Sequence, residues 1–188
     1  MNKSAKSGPA IFMDWVIALS FMVACACFGI YYCAFLKSSV ILWVGITTFT
    51  IAYHLWLRIL FGNITTYFKK RINYNAWWFK EKQGERVFYD IIRVKEWKAK
   101  ALTYDPAAFC LKTNTLEQIA LNMTKAELDH WINVGISLST LIFPLIWGQT
   151  WIFALTAFFA ILFDGQFIVI QRYNRPRVIK LLEKLQRV

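Results

Sequence analysis

An acidic residue and a histidine stand three positions apart in the segment KAELDHW, residues 125–131. On a helix, Glu127 and His130 would share one face and lie within reach of a hydrogen bond. A histidine placed in this way is suited to act as a general base, and a carboxylate beside it is suited to orient the ring. A simpler interpretation makes His130 and Trp131 interfacial anchors next to an incidental acid. The residues alone leave both interpretations open.

A second group with chemical potential is the string QRYNRPR, which directly follows an apolar run. Its polar members are Gln171, Arg172, Tyr173, Asn174, Arg175 and Arg177. We expect Pro176 to make a turn that shapes this cluster, and arginine forks suit the recognition of phosphate and pyrophosphate. Three interpretations remain for the arginines: a site for a phosphate-bearing ligand, a site for lipid headgroups, or positive charge that only orients the chain in a membrane.

Ionisable residues also interrupt the apolar runs, at Asp14, His54, Arg58 and Asp164. Such groups are costly inside a bilayer and usually face a cavity or one another. Asp14 and Arg58 lie near the ends of their runs, where their charges can reach water. His54 lies deeper, and we keep it as an additional candidate with a functional or a pairing role.

The sequence does not indicate a metal site. The Glu-x-x-His spacing occurs in di-metal proteins, but those need a second copy and further carboxylates on other helices, and this chain has neither. Its four cysteines are Cys25, Cys27, Cys33 and Cys110. They do not stand at short spacing with other ligands in a polar setting, so we expect free thiols and no bound metal.

Composition and hydropathy describe the elements that must position these residues. The chain has 188 residues, of which 57% are hydrophobic, with a formal net charge of +11 and a mean hydropathy of +0.40. Apolar runs together with a basic excess are typical of integral membrane proteins with basic cytoplasmic segments. We therefore predict an all-α integral membrane protein that forms a single domain over residues 1–188. Its transmembrane helices, about four in two hairpins, are expected at 11–36, 40–61, 131–147 and 150–170.

The distribution of positive charge orients these spans. Residues 63–130 carry twelve lysine and arginine residues and the basic tail, 172–188, carries six, whereas the hairpin turns offer only Lys37. Lys3 and Lys6 add to the charge at the amino terminus. By the positive-inside rule, we expect a multi-pass protein of the cell membrane with both termini and the active face on the cytoplasmic side.

The region 63–130 interleaves aromatic with basic residues, a pattern that suits helices lying in the membrane interface against lipid headgroups. Trp77 and Trp78 have the character of interfacial anchors. Similar interleaving occurs in proteins that bind single-stranded nucleic acid, but the flanking spans argue against a nucleic-acid partner. Near the end of the region we predict an amphipathic helix with Thr115 as its N-cap. Its apolar face comprises Leu116, Ile119, Ala120 and Met123.

Three segments of this chain resemble one protein family. They are FYDIIRVKEWKAKAL at 88–102, TKAELDHW at 124–131 and IVIQRYNRPRVIKLLEKL at 168–185. Their order and spacing are similar to those of the glycosyl-4,4′-diaponeurosporenoate acyltransferases, and the similarity extends over roughly residues 63–185. That family is associated with the last step of staphyloxanthin-type carotenoid synthesis, in which a fatty acyl group is placed on the sugar of a glycosylated carotenoid.

The resemblance implies a membrane-bound O-acyltransferase. Its co-substrate would be acyl-CoA or a similar donor, its acceptor a glycosylated lipid such as a carotenoid glycoside, and no other cofactor or metal is implied. By position, Trp97 and Lys98 fall on a Trp-Lys block of the family, and Trp131 falls on an acidic-His-Trp block. We therefore expect His130 to be the general base on the sugar hydroxyl and Glu127 to orient it. The donor phosphates would be held by Arg172, Arg175 and Arg177.

Two other classes of function fit the same residues. A membrane transferase or reductase that uses another phosphate-bearing cofactor would share the arginine site but not the acyl donor. A lipid-binding or assembly subunit without catalytic activity would use the same basic and aromatic surface without a base.

Overall fold

The computed structural model describes residues 8–33, 36–101 and 105–187. Within these ranges the chain is helical and contains no β-strand. The α-helices are α1 (Gly8–Cys33), α2 (Ser39–Tyr67), α3 (Glu85–Ile91), α4 (Val94–Trp97), α5 (Leu116–Ser139), α6 (Pro144–Trp147) and α7 (Thr150–Gln186). Short 3₁₀ helices cover Lys69–Arg71, Trp77–Phe79, Lys98–Lys100, Pro106–Phe109 and Thr140–Ile142.

Four stretches of the described chain are long and apolar enough to cross a membrane. They are Ile11–Cys33, Ser39–Tyr67, Leu116–Trp147 and Thr150–Gln186. The predicted fold class, an all-α chain with four candidate membrane-spanning helices, is therefore confirmed. Lys3 and Lys6, on which part of the orientation argument rests, lie outside the described residues.

Two of these helices continue well beyond the predicted spans. Helix α5 runs from Leu116 to Ser139, so the amphipathic helix of the interfacial region continues directly into the third predicted span. A 3₁₀ turn and α6 cover the rest of that span. Helix α7 continues to Gln186 and includes Pro176, so the prediction of a turn in QRYNRPR is wrong. Hydropathy marks where a chain is apolar, not where its helix ends. Proline's fixed φ is compatible with a helix, but in a helix interior it removes one backbone hydrogen bond and crowds the preceding turn. The ion pairs of Arg172 and Arg175 on the same stretch offset that cost.

The chain divides into two compact units. The first unit comprises Met1–Leu60 and Gly135–Ile161, and the second comprises Phe61–Val134 and Leu162–Val188. The core of the first unit is a cluster of aliphatic and aromatic side chains from α1, α2, α7 and the segment before α7. Its members are Leu42, Ile46, Ile152 and Phe153, with Phe28, Tyr31, Phe143 and Trp147 packed against them. His54 is buried in this unit, with 8% of its surface exposed.

Two features shape the first unit: α1 and α2 approach each other closely at Gly45, and the chain reverses direction just before α7. A Cβ atom at Gly45 would lie 3.1 Å from the Cβ of Cys27 and from the ring of Phe28, so glycine allows α1 and α2 to pack closely. The turn before α7 places Gly148 at φ 66° and Gln149 at φ 50°. The side chain of Gln149 accepts a hydrogen bond of 2.9 Å from Trp43 Nε1. The reversal at Gly148 and Gln149 is the one that the sequence predicts.

In the second unit, the N-terminus of α5 is capped by two side-chain hydrogen bonds. The Thr115 hydroxyl accepts a hydrogen bond from the Gln118 backbone N–H at 3.2 Å, and the Gln118 side chain accepts one from the Thr115 backbone N–H at 2.9 Å. This reciprocal arrangement is a capping box. The predicted amphipathic helix is confirmed, with its buried stripe at helical spacing. The stripe comprises Ile119, Ala120, Met123, Thr124 and Glu127.

Candidate active site

Helices α5 and α7 run antiparallel within the second unit, and this pairing places a carboxylate beside His130. The Nδ1 atom of His130 lies 2.8 Å from Oδ1 of Asp164, and Asn133 Nδ2 donates to the same oxygen at 3.1 Å. The ring of Phe167 stacks on the imidazole, with centroids 4.8 Å apart and planes inclined by 10°. Asp164 is fully buried, whereas 22% of the His130 side chain is exposed.

This arrangement has the geometry of an oriented base. With Nδ1–H donating to the Asp164 carboxylate, Nε2 of His130 carries the lone pair that can accept a proton. The stacked Phe167 ring limits rotation of the imidazole, and the hydrogen bond from Asn133 holds the carboxylate in place. The side chains on both helices therefore fix the plane of the ring and the direction in which Nε2 points.

The prediction that Glu127 orients His130 is wrong. Both oxygens of the Glu127 carboxylate are bound by α7 guanidiniums, Oε1 by Arg172 Nη1 at 2.7 Å and Oε2 by Arg175 Nη1. A fully buried carboxylate needs compensation by charge, and two guanidiniums provide more of it than one imidazole. Glu127 therefore belongs to an ion-pair network, and His130 is oriented by a residue on another helix.

Asp164 is the candidate site residue that sequence reasoning did not select. One signal was present, because an aspartate inside an apolar helix usually faces a partner or a cavity. The sequence could not identify that partner, since Asp164 and His130 are 34 positions apart and meet only through the antiparallel register of α5 and α7.

Arg172 does not present an open fork to solvent. Its Nη1 group donates to Glu127 and, at 3.1 Å, to the backbone carbonyl of Trp78. Its Nη2 group donates to Glu85 Oε1 at 2.5 Å and to the backbone carbonyl of Lys80 at 3.2 Å. This guanidinium therefore ties α7 to α3 and to the segment before it.

Arg175 is still more enclosed, with 1% of its surface exposed. It donates to Glu127 through Nη1 and to the backbone carbonyl of Phe79 through Nη2. The sequence predicts that Arg172 and Arg175 hold the donor phosphates, but the structure engages the Nη groups of both with carboxylates and carbonyls of the protein. The Nε of Arg175 is buried and has no acceptor among the described residues. Together the two arginines hold residues 78–80 against α7.

Tyr89 extends this network from α3. Its hydroxyl donates to Glu85 Oε2 at 2.9 Å, and its ring makes an edge contact with Tyr173 at 5.9 Å. Burial raises the pKa of the Tyr89 phenol, and the hydrogen bond to Glu85 raises it further. Tyr89 thus stays neutral and acts as a donor that helps to fix Glu85.

The remaining predicted residues of α7 form a separate group with the Trp-Lys block. Lys98 Nζ donates to Asn174 Oδ1 at 2.7 Å and lies 4.6 Å from the centroid of the Tyr173 ring. The Arg177 guanidinium lies 4.1 Å from the centroid of the same ring. The Trp97 side chain binds its own segment of the chain: its Nε1 donates to the backbone carbonyl of Ile92 at 2.9 Å.

Two tryptophans of the second unit contact each other. Trp131 directly follows His130, and its ring makes an edge contact with Trp78 at 5.9 Å. Both rings keep an open face, with exposures of 39% for Trp131 and 50% for Trp78. Gln171 is buried on α7, and His54 lies in the first unit.

A known protein family matches the part of the chain that carries these contacts. The family model described as glycosyl-4,4′-diaponeurosporenoate acyltransferase matches residues 75–184, more than half of the chain. The chain belongs to this acyltransferase family. The matched residues include His130, Asp164, Glu127 and the arginines of α7, and the family that the three sequence segments resemble is thereby confirmed.

Relatives named glycosyl-4,4′-diaponeurosporenoate acyltransferase come from strains of Staphylococcus aureus. Those of strains N315 and USA300 are each 32% identical over 103 residues, which cover 50% of this chain and 59% of the relative. The protein of strain bovine RF122 / ET3-1 is 30% identical over 153 residues, or 72% of this chain and 87% of the relative. The chain thus spans 59% of the length of the first two relatives. No solved structure matches it.

Proposed function

We propose that the protein is a membrane-bound O-acyltransferase that moves a fatty acyl group onto the sugar of a glycosylated lipid, a carotenoid glycoside. The observation that carries the proposal is the hydrogen bond between His130 Nδ1 and the buried Asp164, in a chain of this family. Transfer to a hydroxyl requires a base at the acceptor oxygen, and an imidazole held by a carboxylate supplies one. The donor is acyl-CoA or a similar thioester, and no other cofactor is used.

The proposed reaction proceeds by proton transfer through one nitrogen. His130 Nε2 takes the proton of the sugar hydroxyl while that oxygen attacks the carbonyl carbon of the thioester. The C–S bond then breaks, the leaving thiolate receives the proton from His130, and an ester and a free thiol result. Asp164 stabilises the imidazolium between these two steps and keeps the ring in the orientation that both require.

We assign the acceptor sugar to the exposed faces of two tryptophans, one of which follows the base in the chain. The open faces of Trp131 and Trp78 are flat and apolar, as are the faces of a hexose ring, and Trp131 adjoins His130 in the chain. The carbonyl of Trp78 is bound by Arg172, which is itself held by Glu127. We therefore assign the ion-pair network a positioning role: it holds Trp78 where the sugar packs.

Transfer can be tested on purified protein in lipid nanodiscs. We expect radiolabelled acyl-CoA and a carotenoid glucoside to give a labelled product that mild base hydrolyses to the starting glucoside and a fatty acid. Omission of the glucoside should abolish the product. If no thioester donor yields an ester, while a nicotinamide cofactor or S-adenosylmethionine is consumed or bound, the protein belongs to another class of transferase or reductase.

The proposal also includes an orientation in the cell membrane. The partners are membrane lipids, an acyl donor and a lipid acceptor, without nucleic acid, and an acyl-CoA donor requires a cytoplasmic active face. In a variant whose four native cysteines are replaced by serine, a membrane-impermeant maleimide should label Ser38→Cys from outside intact cells. It should label Gln83→Cys only after the cells are opened, because positively charged segments stay in the cytoplasm. Labelling of Gln83→Cys in intact cells would contradict this orientation.

A further inference from the structure

Two cations converge on one aromatic ring in the second unit. Lys98 Nζ and the Arg177 guanidinium lie 4.6 Å and 4.1 Å from the centroid of the Tyr173 ring. Each gains a cation–π contact, which contributes about 0.5–1 kcal/mol where the cation is exposed. The same placement brings two like charges together, which opposes that gain. The cation–π contacts alone therefore do not explain why two cations lie against one ring.

Within the described part of the chain, neither cation of this cluster has a carboxylate at ion-pair distance. Among the described residues, neither Lys98 nor Arg177 forms an ion pair. The nearby carboxylates are committed elsewhere: Glu85 and Glu127 to Arg172 and Arg175, and Glu81 to Arg86 at 2.5 Å. That hydrogen bond from Arg86 lowers the pKa of Glu81, and the charges of Lys180 and Arg177 lower it further from a longer distance.

Both cations have donors to offer. Lys98 Nζ carries three N–H groups, of which one is used by Asn174, and Arg177 is exposed. Burial lowers the pKa of the Lys98 ammonium, and the charge of Arg177 lowers it further. An anion between the two cations would offset both effects, because it compensates the repulsion and accepts hydrogen bonds from both groups.

We infer that Lys98 and Arg177, which both contact the Tyr173 ring, form a binding site for a phosphate group. A phosphate fits because it accepts several charge-assisted hydrogen bonds at once. Two sources share this chemistry: the phosphates of the coenzyme A donor and the phosphate of a lipid headgroup. The assignment to the donor rests on the proposed function. It replaces Arg172 and Arg175, whose Nη groups are bound within the protein, by Lys98 and Arg177 as the residues that hold the donor.

The site is tested by direct binding of coenzyme A, without acceptor and without turnover. Protein in nanodiscs of phosphatidylcholine is titrated with coenzyme A by calorimetry. Lys98→Met and Arg177→Met should each raise the Kd at least tenfold, because each removes a charge-assisted contact. Arg177 is exposed, so its replacement leaves the packing of the unit intact. Lys184→Met is the matched control, since it removes the same charge from an exposed position on α7.

A second arm separates the two sources of phosphate. The same variants and the unaltered protein are each purified in detergent and then mixed with phosphatidylglycerol vesicles. The affinity of each protein for the vesicles is compared. Weaker binding of coenzyme A alone assigns the site to the donor, and weaker binding of the vesicles alone assigns it to a lipid headgroup. If Lys98→Met and Arg177→Met change neither affinity more than Lys184→Met does, the inference is overturned.

The outcomes for the site and for acyl transfer are independent. Coenzyme A binding that depends on Lys98, in a protein that forms no ester, would retain the phosphate site and reject the acyltransferase. Ester formation with an unchanged coenzyme A affinity in both variants would retain the acyltransferase and reject the assignment of the site to the donor.

Discussion

Replacing His130 by alanine is expected to lower the turnover of acyl transfer by about 10²- to 10⁴-fold, the range for loss of a general base. The variant lacks the nitrogen that accepts the proton of the sugar hydroxyl, whereas the surfaces that bind donor and acceptor remain. The Michaelis constants for both substrates should therefore change little. Initial rates on purified protein in nanodiscs, measured over a range of each substrate, separate these two effects.

Substitution of Asp164 tests whether a carboxylate on another helix orients the base. Asp164→Asn should lower turnover at least tenfold, and by as much as about 10⁴-fold if the amide imposes the other tautomer on the ring. Asp129→Asn is the matched control. Asp129 directly precedes His130, but its carboxylate binds Lys125 at 2.6 Å and Thr65 at 2.5 Å. If both variants fold and keep near-normal turnover, His130 is not the base, and the interpretation of this residue as an interfacial anchor holds.

Replacing Glu127 by glutamine is expected to lower the free energy of unfolding by about 3–5 kcal/mol, the usual cost of removing one partner of a buried ion pair. Arg175 and Glu127 are both almost completely buried, so the variant leaves two guanidiniums in the interior facing a neutral amide. The measurement is the equilibrium unfolding of the protein in mixed micelles. Glu81→Gln, which breaks the more exposed pair with Arg86, should have a much smaller effect.

The same variant separates the role of Glu127 from that of Asp164. If Glu127 positions Trp78 through Arg172, the folded fraction of Glu127→Gln should show a higher Michaelis constant for the glycosylated acceptor. Its turnover at saturating acceptor should remain close to normal. A large loss of turnover without any loss of stability would contradict the network and support direct orientation of His130 by Glu127.

Much of the local architecture follows from patterns along the chain. Apolar stretches of sufficient length identify the four candidate spans, because a helix that crosses a bilayer needs about 20 consecutive apolar residues. Thr115 followed by Gln118 predicts the start of α5, since the cap depends on residues three positions apart. The buried stripe of α5 follows in the same way from helical periodicity. The three quoted segments also identify the family.

The ends of the helices were less accessible to sequence reasoning. The predicted third and fourth spans cover only parts of α5 and α7, because polar and basic residues continue both helices once tertiary contacts compensate them. The ion pairs of Arg172 and Arg175 lie on the stretch of α7 around Pro176. A turn at this proline was the reasonable expectation for a helix without such partners.

By itself, the sequence determined that Glu127 and His130 share one face of a helix and that arginines follow the last apolar run. Only the tertiary structure decided which of these groups meet. Side chains three positions apart on a helix can touch, but each binds the partner that best compensates its charge, and that partner can lie on another helix. The antiparallel register of α5 and α7 delivers two guanidiniums to Glu127 and the carboxylate of Asp164 to His130. That register depends on packing between residues far apart in the chain, which no local pattern encodes.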